Sequence, residues 1–295
     1  MARPHRPKRG RRRGWLGYLL FFFLGVFLVF LGYHYFSHLS GEKTLRPETP
    51  ARKIPPEGNA ARGRLPEPFP PGSKNKPKIA IVIDDLGIEN HLSSELLQFD
   101  FPLTFSILPF TTYSRPLATE APRRGKEVIL HLPMEPHGYP KVNPGEGALL
   151  EEMSKKRLLR QLSKDIESVP NIRGVSNHMG SRLMEDPEKL KIILSELKRR
   201  GLFFLDSRTT PQTLGLQTAR LIGLKATEKT LFIDHSLEEE EIKERLDRLT
   251  EVSLSTGIAI GIGHPHPATI ASLREMIPKI RKKGIEIVSL SSVIQ

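Results

Sequence analysis

The sequence predicts an α/β domain built on a parallel sheet, and two features of residues 78–295 carry this prediction. Short runs rich in Ile, Val, Leu and Phe alternate with longer segments whose apolar residues recur at helical spacing. Such alternation is typical of parallel strands joined by crossover helices. In these sheets functional side chains gather at the carboxyl ends of the strands, whether the sheet is open or closed into a barrel.

Six short segments have the composition of buried strands. They are 79–83, 103–108, 127–130, 202–206, 258–263 and 285–290. Helices are predicted between them, around 150–169 and over 186–201, 237–257 and 267–284. The second of these has the clearest limits, because Asp186 is a good N-cap, Pro187 suits the first turn and Gly201 follows the last basic residues.

The charge of the chain is concentrated before residue 78. Of 295 residues, 45 are Lys or Arg and 33 are Asp or Glu, which gives a net charge of +12. Residues 1–77 contain 15 basic and 4 acidic residues, whereas residues 78–295 contain the remaining 30 and 29. The nearly neutral globular part therefore does not favour nucleic acid as a partner. The absence of cysteine excludes disulfides, thiolate catalysis and thiolate metal sites.

Residues 15–36 are predicted to anchor the chain in the inner membrane. They contain no charged residue, and about 20 apolar residues suffice to span a bilayer. Seven of the first 13 residues are Lys or Arg, which favours a cytoplasmic N-terminus and a periplasmic or extracellular globular domain. Trp15 and Tyr18 at one end, and Tyr33 and Tyr35 at the other, suit the two membrane interfaces.

The resulting organisation has four parts: a basic cytoplasmic tail (1–14), a single-pass anchor (15–36), a Pro-rich tether (37–77) and a globular domain (78–295). Nine prolines within 40–77 and few large apolar residues predict a semi-extended tether. A cleaved signal peptide is a less favoured alternative, because the apolar run is long and no clear small-x-small cleavage site follows it. A basic nucleic-acid arm is least favoured, since the basic residues directly precede the apolar run.

Polar residues suited to acid–base or metal chemistry follow five strand-like segments. They are Asp84 and Asp85, His131 and Glu135, Asn177 and His178, Asp206 and Arg208, and His264 and His266. Each has an ordinary structural interpretation, such as a helix cap, a turn residue or a core histidine. On a parallel sheet, however, all five groups face one end, and together they indicate a site.

The residue types at these positions suit a metal-dependent hydrolase. Carboxylate and imidazole ligands without thiolates favour Zn²⁺ or another first-row divalent ion. Such an ion lowers the pKa of a bound water to about 7. A carboxylate that takes a proton and an imidazole that returns it would complete a hydrolytic site.

The order of the motifs resembles the divergent polysaccharide deacetylase family, a distant branch of the NodB-type carbohydrate esterases. The motifs are IDDLG, GKEVILHLPMEP, SNHMGSR, LDSRT and GIAIGIGHPHPATIASL, and the resemblance runs from about residue 78 to residue 295. It implies a distorted (β/α) barrel of the NodB type and a divalent metal. With the predicted anchor, the expected fold is this barrel preceded by one transmembrane helix.

The resemblance also implies roles for individual residues. Asp84 would be the general base, Asp85 and His131 metal ligands, and His264 the general acid. Glu135 stands where the wider superfamily has a second ligand histidine, so the third ligand is either Glu135 or His178. Apart from the resemblance, Asn177, Asp206, Arg208 and His266 are predicted to bind substrate, and a structural ion pair between Asp206 and Arg208 is the alternative for those two residues.

The leading hypothesis is a membrane-anchored, metal-dependent deacetylase that acts on an envelope or extracellular glycan. One alternative is a protein that keeps the fold but only binds glycans or serves as a scaffold in the envelope. Another is a metal-independent glycosidase that uses the carboxylates of Asp84 and Glu135.

Overall fold

The structure is a computed structural model that describes residues 76–294. Its strands are β1 (Lys78–Leu86), β2 (Thr104–Ile107), β3 (Glu127–Met134), β4 (Gly174–Met179), β5 (Phe203–Asp206), β6 (Ala226–Glu228), β7 (Leu231–Phe232), β8 (Ile258–Gly263) and β9 (Glu286–Val288). Its α-helices are α1 (His91–Leu97), α2 (Ser114–Glu120), α3 (Lys155–Ser168), α4 (Pro187–Arg199), α5 (Gly215–Ile222), α6 (Glu239–Thr256) and α7 (Pro267–Lys282).

All nine strands belong to one sheet, and every pairing between them is parallel. The order is β6-β5-β4-β3-β2-β1-β8-β7, and β9 pairs with the amino-terminal half of β1. Only Lys229 and Thr230 separate β6 from β7, so the sheet must curl until its two end strands approach each other. Within residues 76–294 no pairing joins these two strands. The predicted α/β class and distorted barrel are confirmed.

Two apolar layers cover the two faces of the sheet. Along β1, Ile79, Ile81 and Ile83 belong to the large outer core shared with the helices. The alternate residues Ala80 and Val82 belong to a smaller inner core, with Ile129, Leu205, Ile260 and Ile262. Because successive side chains of a strand point to opposite faces, Asp84 continues the inner series at the end of β1.

Strand β1 extends beyond the predicted limit and contains both aspartates. Its register against β2 shifts between Ile83 and Leu86, and Asp85 has a left-handed backbone with φ of 58°. A bulge of this kind re-aims side chains, and Asp tolerates left-handed φ better than most residues. The first helix takes Asn90 as its N-cap residue, so neither aspartate caps it.

Strand β3 is also longer than predicted, because Pro133 does not interrupt it. Pro133 is in register with His178 of β4, and the strand continues to Met134. The backbone carbonyl of Pro133 accepts a hydrogen bond from Leu149 on the opposite side, where β2 has already ended. The donor that proline lacks would point to that side, so the ladder with β4 remains intact.

The predicted limits of α4 are confirmed. The Asp186 carboxylate accepts hydrogen bonds from the backbone N–H groups of Glu188 and Lys189, and Gly201 follows with φ of 70°. The elements α1, α2, α5, β4, β6 and β7 were not predicted, because their short segments lack a clear helical repeat or a continuous run of large apolar residues.

No helix within residues 76–294 has the length and apolar character needed to cross a membrane. The basic tail, the predicted anchor at 15–36 and nearly all of the tether lie outside the described residues.

Candidate metal and acid–base site

Asp85, His131 and His178 meet at the carboxyl ends of β1, β3 and β4. One ligand atom from each lies within 4.8 Å of the other two. His178 Nδ1 is 2.9 Å and His131 Nε2 is 3.2 Å from Asp85 Oδ1, and the two nitrogens are 3.2 Å apart. His178 lies within β4, a strand that is not among the six predicted from the sequence.

The donor set of this cluster fits a divalent cation. Asp85 Oδ1 is buried and, among the described residues, has no hydrogen-bond partner of acceptable geometry. Burial raises the pKa of Asp85, but the imidazoles of His131 and His178 outweigh burial and hold the pKa well below its usual range. A buried, ionised carboxylate oxygen facing two imidazole nitrogens is a donor set that Zn²⁺ and similar ions prefer.

Two serines, which the sequence did not single out, orient His131. The His131 Nδ1 atom lies 2.9 Å from the Ser176 hydroxyl, which is in turn 2.8 Å from the Ser106 hydroxyl. All three side chains are buried inside the barrel. A hydrogen bond at Nδ1 fixes the ring and directs Nε2 to the cluster, as partners of metal-binding histidines commonly do.

Asp84 lies beside the cluster in a buried position. Its Oδ1 atom is 3.6 Å from His131 Nδ1 and, within residues 76–294, has no hydrogen-bond partner. Burial raises the pKa of the Asp84 carboxyl, and the charge of His131 opposes that rise. A carboxyl with a raised pKa is suited to exchange protons near neutral pH.

His264 approaches the cluster from the end of β8, with Nε2 4.0 Å from Asp85 Oδ2. Its other ring nitrogen is 3.0 Å from Asp234 Oδ1. Asp234 Oδ2 accepts hydrogen bonds from the His264 backbone N–H at 2.5 Å and from the Thr269 hydroxyl at 2.8 Å. Burial lowers the pKa of His264, but Asp234 outweighs it and raises the pKa to about 9.

Asp234 is the main functional candidate that the sequence reasoning missed. It follows β7, just as Asp84 and Asp206 lie at the ends of their strands. The apolar run before it, Leu231–Ile233, is too short to read as a strand. The sequence does contain a signal for Asp234, because this residue directly follows an apolar run, as the aspartates at the other strand ends do.

The structure does not bring Glu135 into the metal cluster. Glu135 Oε1 is 3.4 Å from the Arg182 guanidinium, and Oε2 accepts a hydrogen bond from the Glu151 backbone N–H at 2.7 Å. The carboxylate therefore joins the loops that follow β3 and β4, and we assign it a structural role.

Asn177 and Asp206 are fully buried and hydrogen-bonded within the protein, which differs from the predicted contact with substrate. The Asn177 amide accepts from the Ser207 backbone N–H and donates to the Met179 carbonyl. The Asp206 carboxylate accepts from the Arg208 backbone N–H at 2.8 Å and from the Thr213 hydroxyl at 2.7 Å. Both side chains shape the loop after β5.

The other two predicted substrate residues lie at the rim. The Arg208 guanidinium is 2.8 Å from Glu228 Oε2, so it pairs with Glu228 and not with Asp206. His266 is half-buried at the start of α7, and its ring centroid is 6.1 Å from that of His264. Both positions remain compatible with contact to a bound molecule.

Comparisons with known proteins agree with this architecture. A family model for divergent polysaccharide deacetylases matches residues 81–294. The uncharacterized protein YibQ of Escherichia coli K12 is 33% identical over 217 residues, which are 74% of this chain and 67% of that protein. An uncharacterized protein of Haemophilus influenzae is 32% identical over 199 residues, or 67% of this chain and 70% of that one.

A solved structure extends the likeness to the fold. The crystal structure of an uncharacterized protein from Agrobacterium tumefaciens superimposes with a TM-score of 0.72 at 28% sequence identity. The match covers 76% of this chain and 92% of that chain. With the family model spanning nearly the whole barrel, the chain belongs to the divergent polysaccharide deacetylase family.

Proposed function

We propose that this protein is a metal-dependent hydrolase that removes acyl groups, acetyl above all, from a glycan. The observation that carries the proposal is the cluster of Asp85, His131 and His178, in which a buried carboxylate oxygen faces two imidazole nitrogens without a hydrogen-bond partner. Membership of the divergent polysaccharide deacetylase family supports the choice of a glycan as substrate.

Asp85, His131 and His178 would hold the cation, and Zn²⁺ is the ion that we propose. When bound, such an ion supplies a Lewis acid for the acyl carbonyl and a water of lowered pKa. The protein contributes the oriented Nε2 of His131, fixed through Ser176, and the ionised carboxylate of Asp85.

Asp84 and His264 would move the protons. Asp84 is buried next to His131 with a free oxygen and a raised pKa, which suits it to remove a proton from the attacking water. His264, held by Asp234, stays protonated near neutral pH because its pKa is about 9. It would donate a proton to the leaving amine or alkoxide, while Asp234 keeps the ring oriented.

The test is metal analysis and activity of the full chain beside its variants Asp85→Ala and His131→Ala. Near-stoichiometric metal in the parent protein, lost in both variants, together with release of acetate from acetylated oligosaccharides, is the expected result. The matched control is Glu135→Ala, which removes a buried carboxylate close by and should leave the metal content unchanged. No metal after reconstitution with Zn²⁺ would overturn the proposal.

Metal binding without hydrolysis of any acetylated glycan would instead favour the glycan-binding or scaffold alternative. The glycosidase alternative loses support because Glu135, its second carboxylate, is held by Arg182 and the Glu151 backbone.

We also propose that residues 15–36 anchor the protein in the inner membrane with the barrel on the outer side. The support is the apolar, uncharged composition of these residues and the basic segment before them. A reporter fused after Gln295 that is active only outside the cytoplasm is the expected result. A reporter active only in the cytoplasm would reverse the proposed orientation.

A further inference from the structure

Lys229, in the two-residue link between β6 and β7, is a cation at the site end of the barrel that the reaction above does not use. Its backbone N–H donates to the Asp206 carbonyl, which fixes it at the end of β5. Its ammonium Nζ lies 4.3 Å from the centroid of the Phe232 ring. The same ring is stacked against His264, with centroids 6.0 Å apart. A single aromatic side chain thus contacts both Lys229 and His264.

The ammonium of Lys229 has unused hydrogen-bonding capacity. Of its three donors, one reaches the Arg208 backbone carbonyl at 3.2 Å. Within residues 76–294 it forms no ion pair, whereas the neighbouring guanidinium of Arg208 is paired with Glu228. Lys229 therefore differs from Arg208 in having no carboxylate of the described residues within ion-pairing distance.

The surroundings of Lys229 make its charge available to an anion. Burial and the positive charge of Arg208 together lower the pKa of Lys229 to about 8, so the ammonium is partly stripped of water yet mostly charged at neutral pH. A poorly hydrated ammonium loses little solvation when it pairs with an anion.

We propose that Lys229 forms an anion subsite beside His264, which binds a carboxylate or phosphate group of the glycan. The inference rests on the proposed function and narrows its substrate class to acidic glycans. The anionic group would lie on the sugar that carries the acyl group or on its neighbour, since the ring of Phe232 contacts both the Lys229 ammonium and His264.

The experiment measures the hydrolysis of three acetylated oligosaccharides of equal length. One is neutral, one carries a carboxylate and one carries a phosphate. The readout is the ratio of kcat/KM for each acidic substrate to that for the neutral one. A charged hydrogen bond corresponds to a preference of about 10- to 100-fold, which we expect in the parent protein. The ratio should fall to near one in Lys229→Gln and be largely kept in Lys229→Arg.

The matched control is Lys225→Gln, which removes the exposed lysine before β6, at the opposite end of the same strand. It should leave the ratio unchanged. A ratio in Lys229→Gln equal to that of the parent protein, or a parent protein without preference for an anionic substrate, would overturn the subsite.

A binding measurement separates this inference from the proposed function. Calorimetric titration with the deacetylated acidic and neutral oligosaccharides requires no turnover. Lys229-dependent preference for the acidic ligand, without hydrolysis of any substrate, would sustain the subsite and reject the hydrolase. Hydrolysis with equal binding of both ligands would do the reverse. Which acidic ligand binds more tightly distinguishes a carboxylate from a phosphate.

Discussion

The polar residues at the carboxyl ends of the strands fall into two groups with opposite hydrogen bonding. At the end of β1, Asp84 and Asp85 each keep a buried oxygen that no described residue satisfies. At the ends of β3, β4 and β5, Glu135, Asn177 and Asp206 are also buried, but hydrogen bonds and an ion pair occupy their polar atoms. The sequence offers the same kind of residue in both places, and only the surroundings differ.

The difference separates residues that hold the loops from residues reserved for a ligand. Nearly all buried polar groups in proteins are hydrogen-bonded, and an unsatisfied one costs about 1–3 kcal/mol. The unsatisfied oxygen of Asp84 is therefore a cost that binding of a cation or a water would remove, whereas His131 and His178 keep the carboxylate of Asp85 ionised. Substitutions in the two groups should accordingly have opposite effects.

The largest effect is expected for Asp85→Ala. Loss of a metal ligand should lower activity by more than about 100-fold, since even outer partners of metal ligands contribute 10- to 100-fold. The metal content should fall together with the activity, because Asp85 Oδ1 faces both imidazole nitrogens of the cluster. Metal analysis checks this loss, and a variant that keeps the metal content of the parent protein would contradict the comparison.

Asp206→Ala should show the opposite pattern. Removal of the acceptor for the Arg208 backbone N–H and the Thr213 hydroxyl should lower the free energy of unfolding by about 2 kcal/mol. Metal content should stay near that of the parent protein. Loss of metal with unchanged stability would place Asp206 in the site and remove the distinction between the groups.

Asp234→Asn tests the partner of His264. The raised pKa of about 9 means that His264 is protonated at neutral pH and that activity should decline as pH rises through about 9. Without the negative charge of Asp234, that decline should move to lower pH, with activity at pH 8 reduced about tenfold. A pH profile of kcat with the same alkaline limb in both proteins would reject the role of His264 as acid.

The smallest effect on activity is expected for Asp165 of α3, an unsatisfied carboxylate on the outer side of the sheet. Its Oδ1 accepts from Gln161, its buried Oδ2 has no described partner, and burial raises its pKa to about 8. The folded state therefore keeps a proton that the unfolded state loses above pH 4, so this group lowers stability as pH rises from 4 to 8.

Asp165→Asn removes that titration. The variant should match the parent protein near pH 4 and be more stable than the parent protein at pH 8, because it has no carboxyl group to titrate between these values. Denaturation curves at the two pH values give the comparison, with Asp100→Asn at an exposed position as the matched control. An equal response of both variants to pH would contradict the assigned titration.

Much of the site was predicted from the expectation that functional side chains gather at the carboxyl ends of parallel strands. Apolar runs that end in Asp or His placed Asp84, Asp85, His131 and His264 at one end of a parallel sheet, where the structure has them. This expectation could not separate Glu135 and Asp206 from these residues, because their hydrogen-bond partners lie in irregular loops whose conformation leaves no periodic pattern in the sequence. Nor could it show the bulge that turns Asp85 toward His131, since backbone φ at one residue leaves no periodic signal.

The fold was predictable where strands and helices are long and regularly spaced. The strand and helix within 258–284 and the two ends of α4 could be predicted from local sequence patterns alone. Strand β3 was predicted too short, because Pro133 is compatible with a strand only where a neighbouring strand has ended. Strands β6 and β7 are two or three residues long and depend on their partners for their conformation.

The pairing of β9 with the first residues of β1 has a practical consequence. Lys78 and Glu286 are register partners, and after β9 the backbone N–H groups of Leu290 and Ser291 donate to Thr104 and Glu127, the first residues of β2 and β3. The described chain therefore enters and leaves the barrel at the amino ends of the strands. The candidate site lies at the carboxyl ends, at the opposite end of the barrel. Handles attached near either end of the described chain, whether an affinity tag, a surface linker or a fluorophore, would leave the mouth open to large polymers. The barrel could therefore be immobilised and presented to intact polysaccharide without re-engineering its loops.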